Sequence, residues 1–247
     1  MTTRRWHKAQ SSERAWWHSR AAAMDLDFYA VFARAMRREL DGILSPGKDT
    51  RVLEIGSGAA GILTHLGECS ERHAVDPLED FYASEERFRA YRDPAVHYHA
   101  GTGEDLGFPA DHFHLIIMDN VLDHCADPDK VLDEIQRVLQ PGGTVYLRQN
   151  TYHLWGRLVR GLMECFQIDR GHPHTFSKGY LRRRYEQLGL EVRHCHRSGY
   201  WATWSAEIRS PRSLDRVKAL LLATRDRTLY ILQKPARSAA TDSRSPS

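Results

Sequence analysis

The stretch 52-VLEIGSGAAG-61 decides how this chain folds. Val52 and Leu53 open an apolar strand, Glu54 places a carboxylate in it, and Gly56, Gly58 and Gly61 then turn the backbone. Ile62, Leu63 and Leu66 follow at helical spacing. The pattern predicts a strand, a tight turn and a helix whose first free N–H groups point at a ligand. Glycines carry no Cβ, so the turn is expected to approach that ligand closely. The expected ligand has the outline of an adenosine.

The same glycine spacing occurs in dinucleotide-binding turns, so the motif alone leaves two cofactor classes open. Glu54 tilts the balance: a carboxylate aimed into the crevice suits an ammonium and poorly suits a pyrophosphate. S-adenosylmethionine has an amino-acid end and no phosphate. Downstream, Arg72 to Val75 read as a second strand ending in Asp76, twenty residues after Gly56. A carboxylate there accepts hydrogen bonds from both ribose hydroxyls, as it would for NAD. Val96 to His99 read as a third strand, followed by Thr102, Glu104 and Asp105, polar groups placed for an adenine edge.

Phe113 to Met118 are apolar but for His114, as in a parallel strand covered on both faces, and end in Asp119 and Asn120. Pro128 to Leu139 carry an amphipathic helix, Pro141-Gly142-Gly143 stop it, and Thr144 to Leu147 form a fifth strand. Leu190 to His194 and Thr228 to Leu232 complete the strands, and Ser177 caps a helix from Lys178 to Leu188 ended by Gly189. The fold expected is α/β, a Rossmann-like, mostly parallel seven-stranded sheet flanked by helices.

Residues 50–150 resemble the core of the class I S-adenosylmethionine-dependent methyltransferases of the ubiquinone/menaquinone type. The matching pieces are Leu53-Glu-Ile-Gly-Ser-Gly, Ala74-Val-Asp-Pro, Gly103-Glu-Asp-Leu-Gly-Phe-Pro, Phe113-His-Leu-Ile-Ile-Met-Asp-Asn-Val-Leu-Asp-His and Arg137-Val-Leu-Gln-Pro-Gly-Gly. Thr102 stands where the family commonly has aspartate beside adenine, and Gly107 replaces a usual proline. The resemblance implies S-adenosyl-L-methionine as cofactor, held by Glu54, Gly56, Ser57, Gly58, Asp76, Pro77, Thr102, Gly103, Glu104, Asp105 and Asn120. Glu54 is expected on the methionine ammonium, Asp76 on the ribose, and Asn120 near the methionine end.

Around this core the sequence divides into an N-terminal helical extension at 1–46, the methyltransferase domain at 47–235 and a Ser/Ala-rich, disordered tail at 236–247. The extension mixes Trp6, Trp16, Trp17, Phe28, Tyr29, Phe32, Met36 and Leu40 with arginines, and Ala30 to Leu44 are its clearest amphipathic stretch. Such helices either lid the substrate pocket or simply cover one face of the sheet. Inserts at 150–176 and 199–225, rich in tryptophan and tyrosine, are expected to build the acceptor pocket. A net charge of +3 over 247 residues is too small to imply nucleic acid, and no apolar run reaches membrane-spanning length. Four dispersed cysteines read as free thiols. The expected setting is cytoplasmic, with a small-molecule acceptor, no nucleic acid, no membrane insertion, and a monomer or homodimer.

Methyl transfer to a hydroxyl is helped by a nearby base, and histidine suits neutral pH. Of fourteen histidines, His124 follows the fourth strand closely, and His172 and His174 lie in the first insert. These three are the candidate bases. Each also has a bland reading, as a loop-orienting or turn residue. The other histidines, His194 and His196 among them, read as ordinary surface or packing residues, and no metal site is assigned. The leading expectation is O-methylation of a secondary metabolite, a phenolic or lipid-like compound, or a glycan unit. The alternatives are an RNA or protein methyltransferase, a non-catalytic S-adenosylmethionine binder, and an NAD-dependent oxidoreductase.

Overall fold

A computed structural model of the chain describes residues 3–165, 173–197 and 199–237. Two helices come first, α1 (Thr3–His18) and α2 (Phe28–Leu40). Strand β1 (Arg51–Ile55) leads through the glycine turn to a single 3-10 turn at Ile62–His65. Then come β2 (Glu71–Asp76), short helices α3 (Glu79–Ser84) and α4 (Glu86–Tyr91), β3 (His97–Ala100) and β4 (Phe113–Asp119). A second 3-10 turn, Leu122–His124, precedes α5 (Pro128–Val138) and β5 (Leu139–Thr151). The chain continues through α6 (Leu154–Cys165), α7 (Lys178–Gln187), β6 (Glu191–Arg197), α8 (Tyr200–Ile208), α9 (Ser213–Leu220) and β7 (Asp226–Gln233).

The strands form one seven-stranded sheet in the order β3-β2-β1-β4-β5-β7-β6. The first five run parallel, while β7 is antiparallel to both β5 and β6. Strand alternation divides the core into two layers. Val52, Leu115 and Ile117 face α1 and α2, together with Trp17, Tyr29, Ala33 and Met36. Leu53, Ile55, Ile116 and Met118 face α5 and α7, with Val131, Ile135, Leu181 and Tyr185. Glu54 therefore falls on the α1–α2 side, between the buried Leu53 and Ile55. Asp127 caps α5 by accepting from the amides of Asp129 and Lys130, and Ser177 caps α7 by accepting from Tyr180.

Three elements differ from the sequence reading. Ile62, Leu63 and Leu66 do not start an α-helix: only one 3-10 turn forms. The amides of Ile62 and Leu63 donate to the Glu54 carboxylate at 2.9 and 3.1 Å, so they point at a side chain rather than at a ligand. Pro141-Gly142-Gly143 lie inside β5, where Gly142 N–H donates to Lys234 C=O and Lys234 N–H donates back to Gly143. The strand also continues past Leu147 to Thr151, because β7 pairs with it as far as Asp226. Arg148, Gln149 and Asn150 are polar, which hid this extension from an apolar-run criterion. Among the described residues no helix is long and apolar enough to cross a membrane.

Candidate active site

A cavity of about 380 Å³ opens at the carboxyl ends of the parallel strands and beneath α1 and α2. Its acidic half is built on β1, β2 and the loop after β3: Glu54, Ser57, Asp76, Pro77, Thr102, Gly103 and Glu104 line it, with Gly56 and Gly58. Asn120 and His124, after β4, and Arg148, Arg225 and Arg227, on or beside β5 and β7, line it as well.

The glycine turn works through protein contacts more than through ligand contacts. Gly61 has φ +77°, and a Cβ there would stand 2.6 Å from Glu54 Oε2. Glycine at this position is what lets the Glu54 carboxylate sit against the 3-10 turn. A Cβ on Gly58 would meet Tyr29 Oη at 2.8 Å and Trp17 at 3.2 Å, so this glycine admits α1 and α2 close to the turn. The amides expected beside the ligand are already engaged, Gly56 N–H with Val75 C=O and Gly58 N–H with Asp76 Oδ2. Ser57 remains: its hydroxyl is buried at the cavity wall with no hydrogen-bond partner among the described residues.

Both key carboxylates are buried. Glu54 is 3% exposed, and burial pushes its carboxyl from 4.5 up to about 8, against the pull of the Ile62 and Leu63 amides. Asp76 is 7% exposed and is pushed by burial from 3.8 up to about 6, although it accepts from Gly58 and Leu78. Among the described residues neither is paired with a lysine or arginine. Glu104 accepts from the amides of Ala126 and Asp127 at 2.7 and 3.0 Å, joining the loop after β3 to the start of α5. Asp105 is not among the residues lining this cavity: it is exposed, and its amide closes a turn onto Thr102 C=O.

The candidate bases separate. His124 lines the cavity, with Nε2 4.0 Å from Asp123 Oδ1. His174 does not line it; Nε2 lies 3.0 Å from the Cys125 carbonyl and the ring stacks on Phe176. Burial lowers the His174 pKa, which keeps the ring neutral and able to donate to that carbonyl. His174 is thus placed to hold the His124 loop. His172 lies outside the described residues. Asn120 adopts φ +56°, accepts from the Asn150 amide through Oδ1 and donates its own amide to Arg148 C=O.

The sequence reading named the aromatic residues of the extension without placing them in a wall, and did not name Gln10 or Glu13. Trp6, Gln10, Glu13 and Trp17 of α1 all line the cavity. Their spacing of four, three and four residues is the stripe of one helix face, so the signal was present. Phe28, Tyr29 and Phe32 of α2 complete that wall. The inserts contribute mainly elsewhere: to this cavity they give Asn150 and Arg225. Tyr152, Leu154, Trp155, Tyr200 and Trp201 instead line a second cavity of about 750 Å³. Arg148 forms a two-pronged ion pair with Asp119 and lies over the Phe32 ring at 4.5 Å. Arg148 faces Asp119 across β4–β5, and Arg227 pairs with Asn150 across β5–β7. Only the antiparallel register brings these arginines together.

Comparison with known proteins agrees with this geometry: the family described as a methyltransferase domain matches residues 25–195. The chain belongs to that methyltransferase family. A hybrid PKS-NRPS synthetase of Macrophomina phaseolina is 34% identical over 101 residues, 37% of this chain. The chain spans about 2% of the length of that curated relative. A phosphoethanolamine N-methyltransferase of Haemonchus contortus, solved with phosphomonomethylethanolamine and S-adenosylhomocysteine, superposes with TM-score 0.63 at 16% identity. The match covers 82% of this chain and 52% of that one. A geranyl diphosphate C-methyltransferase of Streptomyces coelicolor gives TM-score 0.63 at 14% identity, over 81% and 79% of the two chains. The fold of this methyltransferase is that of the S-adenosylmethionine-dependent class I enzymes. The crevice fits that cofactor: among the described residues, two buried carboxylates lack a cationic partner and the Ser57 hydroxyl lacks a hydrogen-bond partner.

Proposed function

We propose that the cavity binds S-adenosylmethionine in its acidic half and methylates an anionic small molecule held in its basic half. The sheet order carries this reading: Glu54 and Asp76 come from β1 and β2 and Glu104 from the loop after β3, whereas Arg148, Arg225 and Arg227 lie on or beside β5 and β7, and all of them line the same cavity. When bound, the cofactor supplies an electrophilic methyl group. Glu54, buried without a cation, gains one in the cofactor's ammonium, and Asp76 retains lone pairs for the ribose hydroxyls. Ser57 offers its unpartnered hydroxyl, while Thr102 and Gly103 flank the adenine.

Three arginines converge on the basic part of the cavity wall. Asp119 neutralises Arg148, but burial and repulsion from Arg225 and Arg148 hold Arg227 below its usual pKa. The buried Arg225 Nε has no hydrogen-bond partner among the described residues. A carboxylate or phosphate on the acceptor relieves both conditions. Phe28, Phe32 and Trp6 give the acceptor an apolar surface to lie against. His124, with the Asp123 carboxylate 4.0 Å away, is the residue positioned to take a hydroxyl proton, which makes oxygen the preferred methyl acceptor. The enclosing α1 and α2 exclude water from the transfer.

Incubation with methyl-labelled S-adenosylmethionine and a metabolite extract, followed by anion-exchange separation, tests the reading. Label should appear in anionic small molecules and be lost with Arg225→Ala, while calorimetry shows the variant binding S-adenosylhomocysteine as before. Label in RNA or protein alone, or only in neutral metabolites, contradicts it.

A further inference from the structure

The outer edge of the sheet carries a side-chain cluster that the cavity does not use. His194 and His196 lie two residues apart on β6, so the pleat aims both imidazoles to one side. Their register partners on β7, Ile231 and Leu229, belong to the core layer under α2. The two histidines therefore extend the α2-facing side of the sheet. There Glu39, in the last turn of α2, brings Oε2 to 3.4 Å from His194 Nε2. The two rings lie nearly parallel, 6.4 Å apart at 28°. One ligand atom from each of the three residues lies within 4.8 Å of the other two.

We propose that Glu39, His194 and His196 form a binding site for a divalent transition ion of the zinc type, outside the cavity. Two imidazole nitrogens and one carboxylate oxygen are the donor set that favours zinc, cobalt or nickel over calcium or magnesium. At metal–ligand distances of about 2 Å, neighbouring donors in a tetrahedral shell stand roughly 3.5 Å apart. Glu39 and His194 already meet that spacing, and rotation of the exposed His196 ring supplies the third donor. An ordinary surface ion pair explains Glu39 with His194 but not the second imidazole. Two imidazoliums at one carboxylate repel each other, whereas a metal ion takes both as neutral ligands. The open edge of β6 leaves room for water in the fourth position. The ion would tie α2 to the edge strand, steadying the helix whose other end carries Phe28, Tyr29 and Phe32 on the cavity wall.

The test uses the tag-free chain, stripped with chelator and titrated with zinc by calorimetry and with cobalt by visible absorption. One ion per chain is expected, with a cobalt spectrum of low-coordinate type and a higher unfolding temperature on adding zinc. H194A/H196A should lose at least about tenfold in zinc affinity and all of the thermal shift. E39Q, which retains both imidazoles, should lose part of each. H97A/H99A, altered at the opposite sheet edge on β3, should bind as the parent does. Circular dichroism checks that the variants fold, which the exposure of both histidines favours. Absence of one-to-one binding, or zinc affinity in H194A/H196A equal to the parent's, overturns the assignment.

Discussion

Glu54 shows how much one buried carboxylate can govern. Its folded pKa of about 8 stands above the ordinary 4.5, so the ligand-free protein holds this group protonated at neutral pH. The corresponding stability is whole below about pH 4.5 and is lost as pH rises through 8; Asp76, raised from 3.8 to about 6, acts in the same direction over a lower window. The unfolding temperature of the ligand-free protein should fall from pH 5 to pH 8, and Glu54→Gln should flatten that fall. A profile equally steep in the variant would show that Glu54 is not the titrating group. A cationic ligand favours the ionised carboxylate, so binding releases a proton and cofactor affinity should rise between pH 6 and pH 8. Calorimetry in buffers of different ionisation heat measures that release directly, and a pH-independent dissociation constant would contradict it. Asp76→Ala should weaken cofactor binding by about 1–3 kcal/mol, through lost hydrogen bonds to the ribose. An unchanged dissociation constant would move the ribose elsewhere.

At the scale of elements, the turn after β1 and the loop after β4 set the site. Gly61→Ala forces a side chain into backbone at φ +77° and against Glu54 Oε2, and should cost about 1–3 kcal/mol in urea unfolding. An unaltered midpoint would mean that the turn relaxes freely. His174→Ala releases the Cys125 carbonyl and loosens the loop carrying His124. Turnover should fall, by up to about 100-fold, while S-adenosylhomocysteine affinity stays within about twofold. Equal turnover would leave His174 a packing residue. The strands were legible because β1 and β4 are buried on both faces and read as apolar runs. The 3-10 turn was not legible: Ile62, Leu63 and Leu66 carry helical spacing, but the Glu54 side chain captures the amides that a helix start leaves free. Nor was the reach of β5, because its last residues are polar and owe their burial to β7, which is distant in sequence.

Over the whole molecule, the sheet presents acids from β1 and β2 and arginines from β5 and β7 to one cavity, and the N-terminal helices close it. Trp17 links the closure to the core: it is 7% exposed and packs edge-on against Tyr82 and Phe88. Trp17→Ala should lower stability by about 3 kcal/mol and weaken cofactor binding, with thermal melts in the presence and absence of S-adenosylhomocysteine as the measure. An unchanged melting temperature would assign α1 no part in the wall. The acidic half of the site was readable, since Glu54, Asp76 and Glu104 sit in local motifs at strand ends. The basic half was not, because Arg148 and Arg227 converge only through antiparallel pairing that no local pattern encodes. The most direct test of the central claim is a crystal structure of the protein soaked with S-adenosylhomocysteine. Density for the nucleoside between Glu54 and Asp76, with the arginine end still open, is the result expected. An empty crevice, or density there for a phosphate-bearing cofactor, would contradict the account.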